Sequence, residues 1–437
     1  MKYALLLYLV CLLRINASQP LCGQGYLGQN FSMAVLSDSI NHMIYTYDLT
    51  TNVTTSVAGT FGTSGYVDGV NSVLNQPCKA VLTPDGSAIV WADSLNMVIR
   101  KVDLATRSTS TVAGTFYTYV YGVTPVELTA LDGVGNAASF YRPEYIQFSS
   151  DGMQFYVSTE YFQTVRAVTY PGFATSTLFQ TGLWGSTDGI LGAGGLLAGG
   201  ACTLSVDGTF WIISDRIYRN IRRVDVASLQ VDTIAGPRGG ASNPGCEDGL
   251  DARFHEPVGQ VLTSHYAFVV DRVGLSIRRI DLATWEVSTF AGFCETAGTM
   301  DAIGTDARFE WPTDIAMQGA YLYVSDMTRI RKIDSTTALV STIKPATEPS
   351  IKSVYFVYID LRMGTRCTLC PQNHFCPAGV SIPCPYPTIT LGMGCGSYLS
   401  CQCPPGTFGQ VTGPNASNCV PCPVGKFCNA VASSCMC

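Results

Sequence analysis

Ile277-Arg278-Arg279-Ile280-Asp281, followed seven residues on by Ser288-Thr289-Phe290-Ala291-Gly292, is the stretch on which the fold turns. Alternating apolar and polar residues on each side of a short polar turn predict two antiparallel strands. The pair returns as Ile99-Arg100-Lys101-Val102-Asp103-Leu104 with Ser110-Thr111-Val112-Ala113-Gly114, and as Ile221-Arg222-Arg223-Val224-Asp225 with Thr233-Ile234-Ala235-Gly236. A further copy runs Ile330-Arg331-Lys332-Ile333-Asp334 to Ser341-Thr342-Ile343. Weaker copies are Ile44-Tyr45-Thr46-Tyr47-Asp48 to Val57-Ala58-Gly59, and Val165-Arg166-Ala167-Val168 to Thr181-Gly182. With Gly59, Gly114, Gly182, Gly236, Gly292 and Pro345 as markers, the steps are 55, 68, 54, 56 and 53 residues.

Within each period an Asp-Gly loop precedes a Pro that opens a strand, and a second strand ends in Asp before the pair above. Asp68-Gly69, Pro77 and Asp93 show the order in one unit; Asp248-Gly249, Pro257 and Asp271 show it in another. Four strands per period is the propeller-blade pattern, because one blade is too small to bury its own faces. The first unit lacks its leading strand, and Pro349 opens an extra strand at 353–359 after the last. Pairing the two would complete a sixth blade and remove an open sheet edge. The expectation is an all-β chain: a signal peptide at 1–18, a six-bladed β-propeller at 20–361 and a small disulfide-rich module at 362–437.

The period and the segments Asp248-Gly249 to Ala252-Arg253-Phe254 to Pro257, Asp306-Ala307-Arg308-Phe309 to Pro312, and Tyr323 to Asp326 with Ile330 to Asp334 resemble NHL-repeat β-propellers. That family includes protein-binding scaffolds, nucleic-acid readers and a peptide-amidating lyase, so the resemblance implies a fold and leaves the function open.

Lys2 and the apolar run 3–13, closed by Ile15-Asn16-Ala17, suit a cleaved secretion signal and are too short for a bilayer of roughly 30 Å. Twelve of the 18 cysteines crowd into the tail: Cys367, Cys370, Cys376, Cys384, Cys395, Cys401, Cys403, Cys419, Cys422, Cys428, Cys435 and Cys437. Behind a secretion signal such density reads as a disulfide frame. The run Cys367-Thr368-Leu369-Cys370-Pro371 to Phe375-Cys376 echoes Cys419-Val420-Pro421-Cys422-Pro423 to Phe427-Cys428, and resembles the short repeats of ephrin-receptor and tumour-necrosis-factor-receptor ectodomains. In the propeller, Cys246 and Cys294 occupy loops leading into successive blades and are expected to pair, whereas Cys78 and Cys202 are expected as buried thiols. Sequons at Asn30, Asn52 and Asn415 agree with passage through a glycosylating pathway.

Residues 19–361 hold 21 basic against 32 acidic side chains, which disfavours nucleic acid as a partner. The repeated pairs Asp93/Arg100, Asp215/Arg222, Asp271/Arg278 and Asp326/Arg331 read as turn clasps. Asp68, Asp132, Asp188 and Asp248 read as turn formers rather than cation ligands. His42, His255 and His265 fall at different levels of different blades, so no shared zinc, catalytic residue or cofactor is assigned. Function should gather where one blade departs from the rest, and the largest departure is the insertion 116–128, with Phe116, Tyr117, Tyr119 and Tyr121 as candidate ligand-binding rings. The expectation is a secreted or cell-surface, non-enzymatic binding protein with a protein or glycan partner and no membrane insertion. The alternative is an extracellular propeller enzyme of amidating-lyase or lactonase type with a metal in the central channel.

Overall fold

The computed structural model describes residues 33–117, 130–149, 151–159, 164–180, 187–190, 201–239, 243–344 and 356–360, with six short strand segments between 374 and 421. The chain divides into two compact units, of which the larger spans residues 29–369. It is a six-bladed propeller of antiparallel sheets, each with four main strands, to which blades 3 and 4 add a two-residue fifth. Blade 2 shows the plan: Pro77–Leu82 innermost, then Ala88–Asp93, Val98–Asp103 and Thr109–Ala113. In the other unit the described strands form three two-stranded ladders, His374–Phe375 with Ile382–Pro383, Thr407–Phe408 with Val420–Pro421, and Val411–Gly413 with Ala416–Ser417.

The second strands are apolar on both faces because both faces are covered. Every residue of Ala88–Asp93 is buried, and so is all but the first of Met33–Asp38, Phe210–Asp215, Tyr266–Asp271 and Tyr321–Asp326. Among the described residues the core is built mainly of six large clusters, one between each pair of neighbouring blades. Val90 and Ile99 of blade 2 pack on Ile146 and Phe155 of blade 3, for example, and Ala34 and Tyr45 of blade 1 on Ala316 and Tyr323 of blade 6. The ring closes as expected: Phe356–Asp360 pairs antiparallel with Met33–Asp38, with Leu36 opposite Val357, so blade 1 is built from both ends of the propeller.

A buried arginine organises blades 2 to 6. Arg100, Arg166, Arg222, Arg278 and Arg331 stand on the third strands with no exposure to water. Each reaches back to the aspartate of the loop that leads into its own blade: Asp68 at 2.6 Å, Asp132 at 2.8 Å, Asp188 at 3.1 Å, Asp248 at 2.8 Å and Asp301 at 2.9 Å. Phe140, Phe254 and Phe309, the phenylalanines of the repeat motif, lie under the guanidinium carbons of Arg166, Arg278 and Arg331 at 5.2, 5.0 and 5.0 Å. Blade 2 has Leu74 at that place and uses Tyr66 instead, 5.2 Å from Arg100. Blade 1 carries Tyr45 where the others carry arginine, its phenol pushed up to about 12 by burial and by Asp38.

The loop aspartates also tie down the fourth strand. The Thr111, Thr289 and Thr342 backbone N–H groups donate to Asp68, Asp248 and Asp301 at 2.9, 3.0 and 2.9 Å, and Gly69 and Gly249 bridge to Thr109 and Val287. Gly69 and Gly249 sit at φ +101° and +94°, which favours glycine after the aspartate. The Asp-Gly pair therefore differs from the turn expected of it: the glycine does take the positive φ, but the aspartate binds the third and fourth strands of its own blade rather than nearby backbone, and is the counter-ion of the arginine.

Burial raises the Asp301 carboxyl, but the Thr342 hydrogen bonds and Arg331 outweigh it, so its pKa lies below the ordinary 3.8. A depressed folded-state pKa contributes stability above the unfolded value, and that contribution disappears as pH falls through the folded one. The melting temperature should therefore fall on acidification below about pH 4, and Asp301→Asn should lower it at neutral pH while flattening the acid slope. An unchanged slope in a pH series of thermal melts would refute this role. For ring closure, deleting residues 356–360 should leave the Met33–Asp38 edge unpaired, giving a lower melting temperature and aggregation by size-exclusion chromatography; a monomer of wild-type stability would contradict it.

Candidate functional site at the channel mouth

The innermost strands line the ring axis, and the ladder registers align their positions from blade to blade. Two residues before the second-strand aspartate, Trp91, Ile213, Val269 and Val324 stand opposite Ala80, Cys202, Gln260 and Ile315. One position earlier on the inner strands are Lys79, Ala201, Gly259 and Asp314, with Tyr145 at the equivalent place in blade 3. These residues do not repeat, and three of them meet. The Lys79 ammonium, from blade 2, ion-pairs with Asp314 of blade 6. The Tyr145 hydroxyl donates to the Gln260 carbonyl at 3.2 Å and lies 3.5 Å from Asp314 Oδ1, while Lys79 Nζ sits 4.9 Å from the Tyr145 ring centroid. Burial, and then the Asp314 charge, push the Tyr145 phenol well above its usual value.

Blades 4, 5 and 6 approach closely here. The Ala201 N–H donates to the Val258 carbonyl at 3.1 Å, and the Gln260 amide spans Ala201 and Ser214. A Cβ on Gly259 would stand 2.6 Å from the Asp314 Cα, so glycine is what permits the approach. Lys79, Tyr145, Gln260 and Asp314 are all buried.

The face where the inner strands begin is built differently. Buried aspartates at the ends of the second strands hold the residues just before each opening proline: Asp93 accepts the Asn75 N–H at 2.8 Å, Asp271 accepts Glu256 at 2.7 Å, and Asp326 accepts Glu310 and Trp311 at 2.8 and 2.7 Å. Asp93 and Asp326 also pair with the arginines, at 2.9 and 3.0 Å, while Asp271 stands 3.8 Å from Arg278, so the expected clasp is made closely in blades 2 and 6 and loosely in blade 5. Burial raises all three carboxyls, with backbone donors and the arginines pulling back. His42 Nδ1 accepts the Gln76 N–H at 3.0 Å, and burial lowers its pKa against the pull of Asp38, which suits the neutral ring an acceptor must have.

On this rigid frame the displayed side chains vary. Gln76, Arg142, Glu256 and Trp311 precede the four prolines. Arg272 pairs with Glu256 and lies over the Trp311 ring at 5.4 Å, while Arg329 pairs with Glu310 at 2.5 Å. Trp311 and Met327 are each 38% exposed, an apolar pair amid the ion pairs.

Phe116 and Tyr117, from the insertion, emerge at the same face. Phe116 stacks on Tyr66 with centroids 4.0 Å apart, and Tyr117 packs against Met97 and Tyr141. The first two rings of the insertion thus pack locally, with Phe116 still 39% exposed; Tyr119 and Tyr121 lie outside the described residues. Cys246 and Cys294 are joined, with Cα atoms 6.0 Å apart. Cys202 is a buried thiol, its pKa driven up by burial, but Cys78 is only half-buried: it is the first residue after the opening proline and packs at the edge of the cluster between blades 2 and 3. His42, His255 and His265 do not converge. Asn52 is exposed in a turn, its Oδ1 accepting the Tyr47 hydroxyl at 2.7 Å. Residues 1–18, Asn30, Asn415 and the tail cysteines from Cys367 to Cys437 lie outside the described residues.

Sequence reasoning missed the axial cluster: the second residue after each opening proline changes from Lys79 to Tyr145 to Gly259 to Asp314, but the residues on either side of it change as well, so the position does not stand out.

Fold and site together define a six-bladed β-propeller protein with a buried Lys79–Asp314 pair on its inner strands and a variable mouth. No protein-family model matches the chain, and no curated protein matches it. Among solved structures it is similar to a chain of a nidogen/laminin complex, at 12% identity over 75% of this chain and 98% of that one, TM-score 0.48. It is also similar to a protein of unknown function from Bacteroides thetaiotaomicron (14% identity, 76% and 71% covered, TM-score 0.46) and to virginiamycin B lyase from Staphylococcus aureus (13%, 75% and 88%, 0.43). At such identities nothing about activity carries over.

Breaking a buried ion pair from one side leaves a charge without its partner and costs about 3–5 kcal/mol, whereas replacing both members by apolar groups is often neutral. Lys79→Met should lower the unfolding free energy by about that amount, and Lys79→Met with Asp314→Leu should recover most of it. Denaturant melts in which the single variant loses nothing would show that the pair does not hold the ring together.

Proposed function

We propose that the chain is a secreted or cell-surface binding protein of NHL type that uses the channel mouth of its propeller to recognise an extracellular protein or glycan. The observation that carries this reading is how the polar residues divide. Those that repeat are consumed in holding blades and loops; of those that vary, Lys79, Tyr145 and Asp314 are buried among the inner strands, and the rest stand on one face around Trp311, Arg272, Glu256 and Tyr117. A tryptophan beside an arginine on fixed backbone is the composition of a recognition hot spot. The leader, the sequons and the disulfide frame support an extracytoplasmic address, and among the described residues no helix is long and apolar enough to cross a membrane.

The lyase or lactonase reading would require metal ligands converging on the axis. There the described donors are Lys79, Tyr145 and a single carboxylate, Asp314, which the lysine already engages. That donor set suits a structural plug better than a cation site.

The full chain would be applied to arrays of extracellular proteins and glycans. Trp311→Ala should abolish the binding found, as should joint replacement of Tyr117, Tyr119 and Tyr121 by Ser, with little change in melting temperature. Leu250→Ser, at an exposed position beside the Asp248-Gly249 turn, should leave binding intact. Binding lost in the Leu250 variant and kept in the other two would move the site to the rim and overturn this reading.

A further inference from the structure

Cys246 lies in the loop leading into blade 5, and Cys294 two residues beyond the strand Val287–Gly292, in the loop leading into blade 6. Their disulfide brings the two loops together beside His255, two residues before Pro257. One ligand atom from each of Cys246, His255 and Cys294 lies within 4.8 Å of the other two. Glu295 adds a carboxylate, its Oε1 3.3 Å from His255 Nε2.

The backbone beneath these side chains is tied. The His255 N–H donates to both Asp271 oxygens at 3.1 and 3.0 Å, and its carbonyl accepts Arg219 Nε at 3.0 Å. The Glu295 N–H donates to the Gly274 carbonyl at 3.3 Å. A disulfide has no need of an imidazole and a carboxylate beside it, whereas two sulfurs, a ring nitrogen and a carboxylate oxygen are the donor set of a tetrahedral zinc centre. Bonds of about 2.0–2.1 Å to nitrogen and oxygen put two such donors about 3.4 Å apart on a tetrahedral ion, close to the separation between His255 and Glu295. Zinc–sulfur bonds of about 2.3 Å put the two sulfurs about 3.8 Å apart, which rotation of freed side chains can supply.

We propose that Cys246, Cys294, His255 and Glu295 form a binding site for a divalent cation of the zinc class, which becomes available when the Cys246–Cys294 disulfide is reduced. A dithiol reductant supplies the two electrons and two protons that convert the disulfide into two thiols, and itself becomes a disulfide. Zinc binding then releases the two thiol protons to solvent, leaving two thiolates, a neutral imidazole and a carboxylate around the metal. Either occupant, the sulfur–sulfur bond or the ion, staples the same two loops, so the link between the entry and the exit of blade 5 at the mouth would survive a change of redox conditions.

The test compares zinc bound by the full-length wild type, His255→Ala and Cys246→Ser/Cys294→Ser after reduction, zinc loading and gel filtration; the tail cysteines are common to all three and cancel. The reduced wild type should hold about one zinc per chain more than the double serine variant, and His255→Ala should lose that increment. In the oxidised proteins, wild type and His255→Ala should hold equal amounts. Should the serine variant fail to fold, His255→Ala, which keeps both cysteines, decides through the visible spectrum of bound cobalt. A reduced wild type and His255→Ala with the same zinc content and the same cobalt spectrum would overturn the proposal.

Discussion

A guanidinium sealed from water must find its counter-charge inside the fold, and in this protein that requirement sets the length and order of the repeat. Arg100, Arg278 and Arg331 lie 32, 30 and 30 residues after the loop aspartates they bind, and Thr111, Thr289 and Thr342 lie 43, 41 and 41 residues after the same aspartates. The loop is therefore bound to the third and fourth strands of its own blade before the innermost strand begins. The second-strand aspartate completes the arrangement in blades 2 and 6 by meeting the arginine from the mouth side. An arginine cannot be lost from such a place without stranding one or two carboxylates. Blade 1, with Tyr45 there, borrows its innermost strand from the far end of the propeller instead.

Stacking such units produces stability only between neighbours, and each of the six clusters joins two blades. A linear stack would leave two outer faces wet; the ring leaves none. Closing it through hydrogen bonds between the two ends of the propeller makes the last interface part of one continuous sheet. The Lys79–Asp314 pair adds a bond across the axis, between blades that flank the closing one. A bond in that position resists opening at the seam.

What was legible in the sequence follows from this division. Arg278, Asp248 and Phe254 recur with fixed spacing because every blade must solve the same problem with the same parts, so periodicity revealed the blade count, the strand order and the closure. Lys79 and Asp314 are 235 residues apart, and nothing in either local stretch marks them as partners. His255 could be placed just before Pro257, but its meeting with Cys294 depends on how the entry and exit loops of blade 5 are held beside each other, by Asp271 and by Gly274. Cys78 misled because its strand is buried while its own position, next to the opening proline, is only half covered at the edge of the cluster between blades 2 and 3. The Asp-Gly loops were half understood: turn geometry explains the glycine, and only the third strand explains the charge.

The mouth is where variation is physically cheapest. At the far end of each blade the tight turns after the third strands are themselves constrained: Asp48, Asp103, Asp225, Asp281 and Asp334 each accept two backbone N–H groups, and the fourth residue beyond each sits at positive φ. At the mouth the backbone is held instead by the buried second-strand aspartates, from below, and the side chains before each proline are left with no shared duty. A surface whose backbone is fixed and whose side chains are unconstrained can change its chemistry without changing its shape. Recognition needs that combination, because fixed backbone lowers the entropy lost on binding while substitution sets the partner.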